Sequence, residues 1–166
     1  MKLPKFSNVI LLALPFFLII YLFTPKRTLT ELPITRPTSL ADSIPIEYYQ
    51  QLHVVEKRGN KFIEKGKAVT YLEYETDAHV LLKTIANLPF SKYAVRADTV
   101  CLNTGFYELT ALKNSISKEE LSTGSYFWNI ETENYQLYEC IKGYEKHTLL
   151  ISKNSEQVLH RIEYTS

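Results

Sequence analysis

The feature that most constrains this chain is the run Val9 to Phe23, VILLALPFFLIIYLF, fifteen residues in which only Tyr21 can form a side-chain hydrogen bond. Counting back to Phe6 lengthens the run to eighteen and takes in Ser7 and Asn8. A helix needs about 20 predominantly apolar residues to cross the hydrocarbon layer, roughly 17 at the least, whereas the core of a secretory signal needs about 7 to 15. Length alone leaves both readings open. A signal peptidase also needs small residues at two fixed positions just past the core, and Tyr21 to Pro25 supply none; Ser39-Leu40-Ala41 has the right form but lies too far on. The expectation is an uncleaved, single-pass transmembrane anchor over residues 1–23, with a cleaved signal and a buried core helix as the alternatives. Pro15 is compatible with a span, because lipid tolerates kinked helices.

Lys2 and Lys5 precede the run and Lys26 and Arg27 flank its other side, with Arg36 further on, so the positive-inside count is nearly tied. The short basic start, together with the cysteine pair Cys101 and Cys140, favours an extracytoplasmic, periplasmic location for the rest of the chain. A cytoplasmic domain is the alternative. Residues 24–42 hold Pro25, Pro33, Pro37 and five threonines, which predicts an extended linker. Residues 43–166 then form one soluble domain, since the length left over suits a single hydrophobic core.

Within that domain Ile46 to Val55 reads as helix turning into strand, and Gly59-Asn60 as the turn of a hairpin, with a strand at Lys67 to Glu75. Thr76-Asp77 offers an N-cap before the stripe Val80, Leu81, Ile85 and Leu88, which Pro89 ends. Ser117-Lys118-Glu119-Glu120 has the form of a capping box and predicts one short helical turn. Tyr93–Leu102, Phe106–Leu112, Ser125–Glu131, Tyr135–Lys142, Tyr144–Ser152 and Gln157–Thr165 read as strands. The fold class expected is therefore α+β: an N-terminal transmembrane helix, then an antiparallel meandering sheet packed with one main helix.

Charge narrows the partners. Four of the nineteen basic residues flank the apolar run, which leaves fifteen against eighteen acidic residues from Thr28 onward, a net of −3 with no block of either sign. Nucleic-acid binding needs a clustered basic face, so that class is excluded. Five scattered glycines form no phosphate-cradling loop, which argues against a nucleotide.

Cys101 and Cys140 are the only cysteines, with thirty-eight residues between them, each in an expected strand. Two cysteines outside the cytoplasm usually pair, and alternation puts both on the more polar side of their strands, which predicts a disulfide; inert buried thiols and a catalytic or redox thiol are the alternatives. His53, His79, His147 and His160 show no metal-presenting spacing, so neither a metal nor another cofactor is expected. His147 and His160 fall on adjacent strands at small offset and are the weak candidates for a site, against the reading of two half-exposed strand histidines. Tyr126-Phe127-Trp128 is the densest aromatic cluster. On a strand Tyr126 and Trp128 would share one face, which could receive a partner or complete the core.

No nucleophile elbow, zinc-protease helix or related catalytic motif is present, so the reading leans away from an enzyme. The functional expectation is a membrane-anchored envelope protein, held by the lipid bilayer through its N-terminal helix, whose small domain binds a protein partner as an accessory subunit or inhibitor. The alternatives are a small membrane-anchored hydrolase with a site assembled from distant residues, and a lipid or glycan carrier.

Overall fold

A computed structural model describes residues 32–88, 100–142 and 144–164. The expected anchor over residues 1–23, the first part of the linker, and residues 93–99 of the strand expected over Tyr93–Leu102 lie outside the described residues. Among the described residues no helix is long and apolar enough to cross a membrane.

The domain is α+β, built on one seven-stranded sheet in the order β1-β2-β3-β7-β6-β5-β4, with every neighbouring pair antiparallel. The strands are β1 (Ile34–Pro37), β2 (Val55–Glu64), β3 (Lys67–Glu75), β4 (Val100–Thr104), β5 (Tyr135–Lys142), β6 (Glu145–Ser152) and β7 (Gln157–Tyr164). Two meanders, β1-β2-β3 and β4-β5-β6-β7, meet where β3 pairs with β7. One end of the sheet carries the β2–β3 and β5–β6 turns, together with Leu32 and Tyr164. The opposite end carries the β6–β7 loop and the start of β2.

Helices cover both faces. On one, α1 (Ile46–Tyr49) and α2 (Ala78–Ala86) lie against the sheet, with Leu40, Ile44, Leu52, Leu81 and Ile85 packed on Leu72, Leu149, Val158 and Ile162. On the other, α3 (Phe106–Ser115), α4 (Lys118–Thr123) and α5 (Ser125–Trp128) place Leu109, Phe127 and Trp128 on Val69, Tyr71, Leu137, Leu150 and Leu159. The expectation of one main helix is thus corrected. Central strands buried on both sides explain why: in β7 every residue from Val158 to Ile162 is buried, so its alternation separates two cores instead of core from solvent.

Local chemistry accounts for the elements. Asp77 caps α2 by accepting from the Val80 amide at 2.8 Å, and Thr76 donates to the Leu52 carbonyl at 2.8 Å, which ties the start of the helix to the core. The β2–β3 hairpin turns at Lys65-Gly66, both at positive φ (49° and 82°), as a two-residue primed turn demands. Gly59-Asn60, expected as a hairpin turn between residues 53–58 and 61–64, lies inside β2. There Gly59 accepts from the Thr38 amide at 3.1 Å, and a Cβ would collide with the Thr38 carbonyl, so the glycine allows the chain beyond β1 to approach β2.

Part of the expected linker is structure. Ile34–Pro37 pairs with Lys61, Asn60 and their neighbours as β1, and Leu40 is buried with its amide donating to Glu56 Oε1 at 2.9 Å. The compact unit accordingly takes in this segment from Leu32 onward.

Candidate functional site

Three polar groupings stand out, two centred on buried side chains and one open. The first joins the sheet to α4. Arg161 on β7, with no exposed surface, donates from Nη2 to Glu120 Oε1 at 3.1 Å and from Nη1 to Glu163 Oε2 at 2.7 Å. The Tyr71 hydroxyl donates to the same Glu120 oxygen at 2.8 Å and accepts from Arg161 Nε and Trp128 Nε1, both at 3.2 Å. Lys67 completes the set, 2.8 Å from Glu120 Oε2 and 3.6 Å from Glu163. Two cations face two carboxylates, and the buried oxygens are occupied. Burial raises the Tyr71 pKa far above its ordinary value, so the hydroxyl keeps its proton. Burial alone would also raise Glu163, but the adjacent Arg161 and Lys67 hold its carboxyl below the usual range. Such a group ties α4 to the sheet.

The second grouping contains the two histidines singled out by sequence. His147 pairs with Ile162 and His160 with Leu149, so the two rings are diagonal neighbours on one sheet face. His147 Nδ1 lies 3.0 Å from His160 Nε2, and the Tyr74 hydroxyl lies 2.9 Å from His160 Nδ1. His147 Nε2 is 3.4 Å from Glu145 Oε2, too long for a strong hydrogen bond. The histidines therefore do meet, with a carboxylate at one end, but both are wholly buried where half exposure was expected. His53 and His79 are exposed and stand apart from them. Among the described residues no set of three or more His, Cys, Asp or Glu side chains gathers as metal ligands.

Tyr126 and Trp128 do not share a strand face. Both sit in the single turn of α5, where Trp128 is buried against Phe127 with ring centroids 4.9 Å apart. Their expected role as a shared partner-binding face is corrected for Trp128, which is core. Tyr126 is half-buried, its hydroxyl donating to the Tyr71 carbonyl at 2.6 Å.

One side of Tyr126 borders the third grouping, a cleft of about 510 Å³ at the end of the sheet away from the β2–β3 turn. Arg58 stacks on the Tyr126 ring, its guanidinium carbon 4.2 Å from the centroid, and donates to Glu73. Glu73 accepts from Gln157 Nε2 at 2.8 Å, and Gln157 Oε1 accepts from the Tyr135 hydroxyl at 2.9 Å. Each side chain thus fixes the next along the wall. Asn129, Asn134 and Asn154 contribute further amides to the lining. The only charges there are Arg58, Glu73 and Glu131, so no strong field of either sign fills the cleft. No pattern along the chain announces it, because its residues come from segments far apart in sequence.

Cys101 stands directly opposite Cys140 in the β4–β5 register, and Cys140 in turn opposite His147. Cys140 is buried and is not a free thiol. Comparison with protein-family models, with curated proteins and with solved structures finds no match.

Proposed function

We propose that this chain is a membrane-anchored envelope protein whose extracytoplasmic domain recognises a protein partner, and that the cleft walled by Arg58, Glu73, Gln157 and Tyr135 is where it does so. The supporting observation is the hydrogen-bonded order of that wall: side chains already fixed in place lose little entropy on binding. Amide side chains such as Asn129, Asn154 and Gln157 match the donor and acceptor pairs of a main chain. An uncharged, extended segment of a partner protein is the ligand this lining suits. By contrast, His147, His160, Arg161 and Glu120 are all buried, which weighs against a hydrolytic site built from them.

The anchor over residues 1–23, the extracytoplasmic location and a Cys101–Cys140 disulfide belong to the same proposal. The cross-strand register supports the bridge, and a bridge suits an oxidising compartment.

Site-specific photocrosslinking in intact cells tests the recognition site. A photoreactive residue at Asn154 is expected to give one discrete protein adduct that fades with Arg58→Ala or Gln157→Ala, while one at Tyr107, exposed on α3, gives none. Adducts of equal yield at both positions, or no adduct at Asn154, overturn the proposal.

A further inference from the structure

We propose that β4 is a dimerisation edge, at which a second copy of this chain adds its own β4 and continues the sheet. β4 has β5 on one side and, among the described residues, no strand on the other. Which of its backbone groups face outward follows from alternation, because in an antiparallel pair every second residue bonds to a given neighbour. The Lys153 amide donates to the Asn134 carbonyl at 2.9 Å, so Gln136, Tyr138 and Cys140 bond to β6, and Leu137, Glu139 and Ile141 to β4. Their partners Thr104, Leu102 and Val100 bond inward. Cys101 and Asn103 therefore each present an N–H and a carbonyl along the free edge. Leu102 and Asn103 point to opposite faces and both are exposed, so neither helical layer covers the edge at these positions.

The other edge of the sheet is built differently. The Thr38 amide donates to the Gly59 carbonyl at 3.1 Å, so Arg36 and Ile34 bond to β2 and the outward positions are 33, 35 and 37. Pro33 and Pro37 have no N–H, which leaves Thr35 as the outward donor, and Arg36 adds a charge beside it. β4, with the sequence VCLNT, carries neither a proline nor a charge. One edge is closed to a further strand and the other is open.

The open edge fits its own copy. Antiparallel pairing of Cys101 with Asn103 of the second copy, and of Asn103 with Cys101 of the second copy, joins every outward group of both strands in four N–H···O bonds. The two-fold axis of that register passes between Leu102 and its counterpart. Leu102, 56 % exposed, then meets an identical side chain as a non-hydrogen-bonded pair, the closer kind, with Cα atoms about 4.5 Å apart. Charge does not oppose the contact, since Glu139, opposite Leu102 on β5, is already paired with Lys146 at 2.6 Å. β4 offers a foreign strand no charge by which to be selected, whereas its own copy is matched in length, register and side chain. Two copies joined at β4 leave only β1 edges, each closed by proline, and assembly halts at two. The contact uses neither the cleft nor residues 1–31.

The test is the mass of the full chain in mild detergent, measured by sedimentation, with the wild type expected as a dimer. Asn103→Pro removes an outward N–H at an edge position that tolerates proline, and should be monomeric at the same concentration with unchanged far-ultraviolet circular dichroism. Leu102→Lys and Leu102→Glu, at an exposed position, should each be monomeric alone, through like charge across the axis, and should form a dimer when mixed. These two variants decide the matter where Asn103→Pro does not fold. In intact cells a photoreactive residue at Leu102 should give an adduct of twice the chain mass. A monomeric wild type overturns the proposal, and so does a dimer that persists in both charged variants, or a mixture of them that stays monomeric. An adduct from Leu102 to residues 89–99 of its own chain, or to a different protein, gives the edge another occupant and overturns it as well.

Discussion

His147 Nδ1 and His160 Nε2 stand 3.0 Å apart between two strands, and neither ring has any surface in contact with solvent. Burial raises the Tyr74 pKa well above its ordinary value, so its hydroxyl stays protonated beside His160 Nδ1. Burial, then the neighbouring His147, pushes the His160 pKa well below 6.5, so that ring is neutral and carries a single proton. A neutral His160 donates at one of its two contacts, to Tyr74 or to His147, and accepts at the other. A second proton would make both of its nitrogens donors, so that Tyr74 and His147 would both have to accept.

Stability should therefore fall in acid. The folded-state pKa of His160 lies below its unfolded value of about 6.5, so the unfolded chain takes up the proton first. The contribution is fully present above that value and is lost progressively as pH falls below it. Urea unfolding at a series of pH values between about 8 and 5 should show this decline, and His160→Leu should be less stable at neutral pH yet show a flatter profile. An unchanged slope in the variant would contradict the assignment.

Removing Arg161 should be among the costliest single changes. Arg161→Met leaves Glu120, 2 % exposed, without its buried cation, and breaking a buried pair from one side costs about 3–5 kcal/mol. Glu120→Gln retains the shape and an acceptor for Tyr71 and should cost less. Equal shifts of the two urea midpoints would show that charge is not what matters there.

The sequence carried some of this and hid the rest, for identifiable reasons. Ser117 does cap α4, accepting from the Glu120 amide at 3.2 Å, as the Ser-x-x-Glu pattern implies. The Glu120 carboxylate, however, turns to Arg161, forty-one residues away, and no local pattern reports that. The segment of α3 reads as a strand because its aromatic and β-branched residues suit strands. Yet Phe106, Leu109 and Leu112 recur every third residue and all pack on the core, a helical spacing that was there to be read. The histidine pairing is visible from strand offset alone; its burial is not, because two-sided coverage of the sheet depends on helices whose composition resembles that of strands. The cleft could not be seen at all, since tertiary packing alone brings Arg58, Glu73, Tyr126, Tyr135 and Gln157 together.

Gly124 and Gly105 should respond differently to the same substitution. A Cβ at Gly124 would come within 2.6 Å of the Tyr71 ring, and its φ of −101° is ordinary, so the cost of Gly124→Ala is purely steric, about 1–3 kcal/mol. Nothing lies within 4 Å of a Cβ at Gly105, and Gly105→Ala should change the thermal midpoint little. Comparable losses at both would point to backbone strain instead.

Reduction should matter if Cys101 and Cys140 are joined. A loop of about 40 residues closed by a bridge contributes roughly 4 kcal/mol in the chain-entropy treatment. The urea midpoint should drop on adding reductant to the wild type and stay constant in a Cys101→Ser, Cys140→Ser double variant. A wild-type midpoint indifferent to reductant would remove the disulfide.

Strand β1 has a mechanical consequence. Its chain arrives at the turn end, while the cleft lies at the other, so a pull on Leu32 against a load held at the cleft would run along the strands. The β1–β2 hydrogen bonds, from Ile34 opposite Ile63 to Pro37 opposite Asn60, then share the load in shear instead of parting one at a time like a zip. The Thr38 amide on Gly59 and the Leu40 amide on Glu56 extend the bonded stretch beyond β1. This short edge strand acts as a clasp that resists lengthwise pull and yields to a sideways peel.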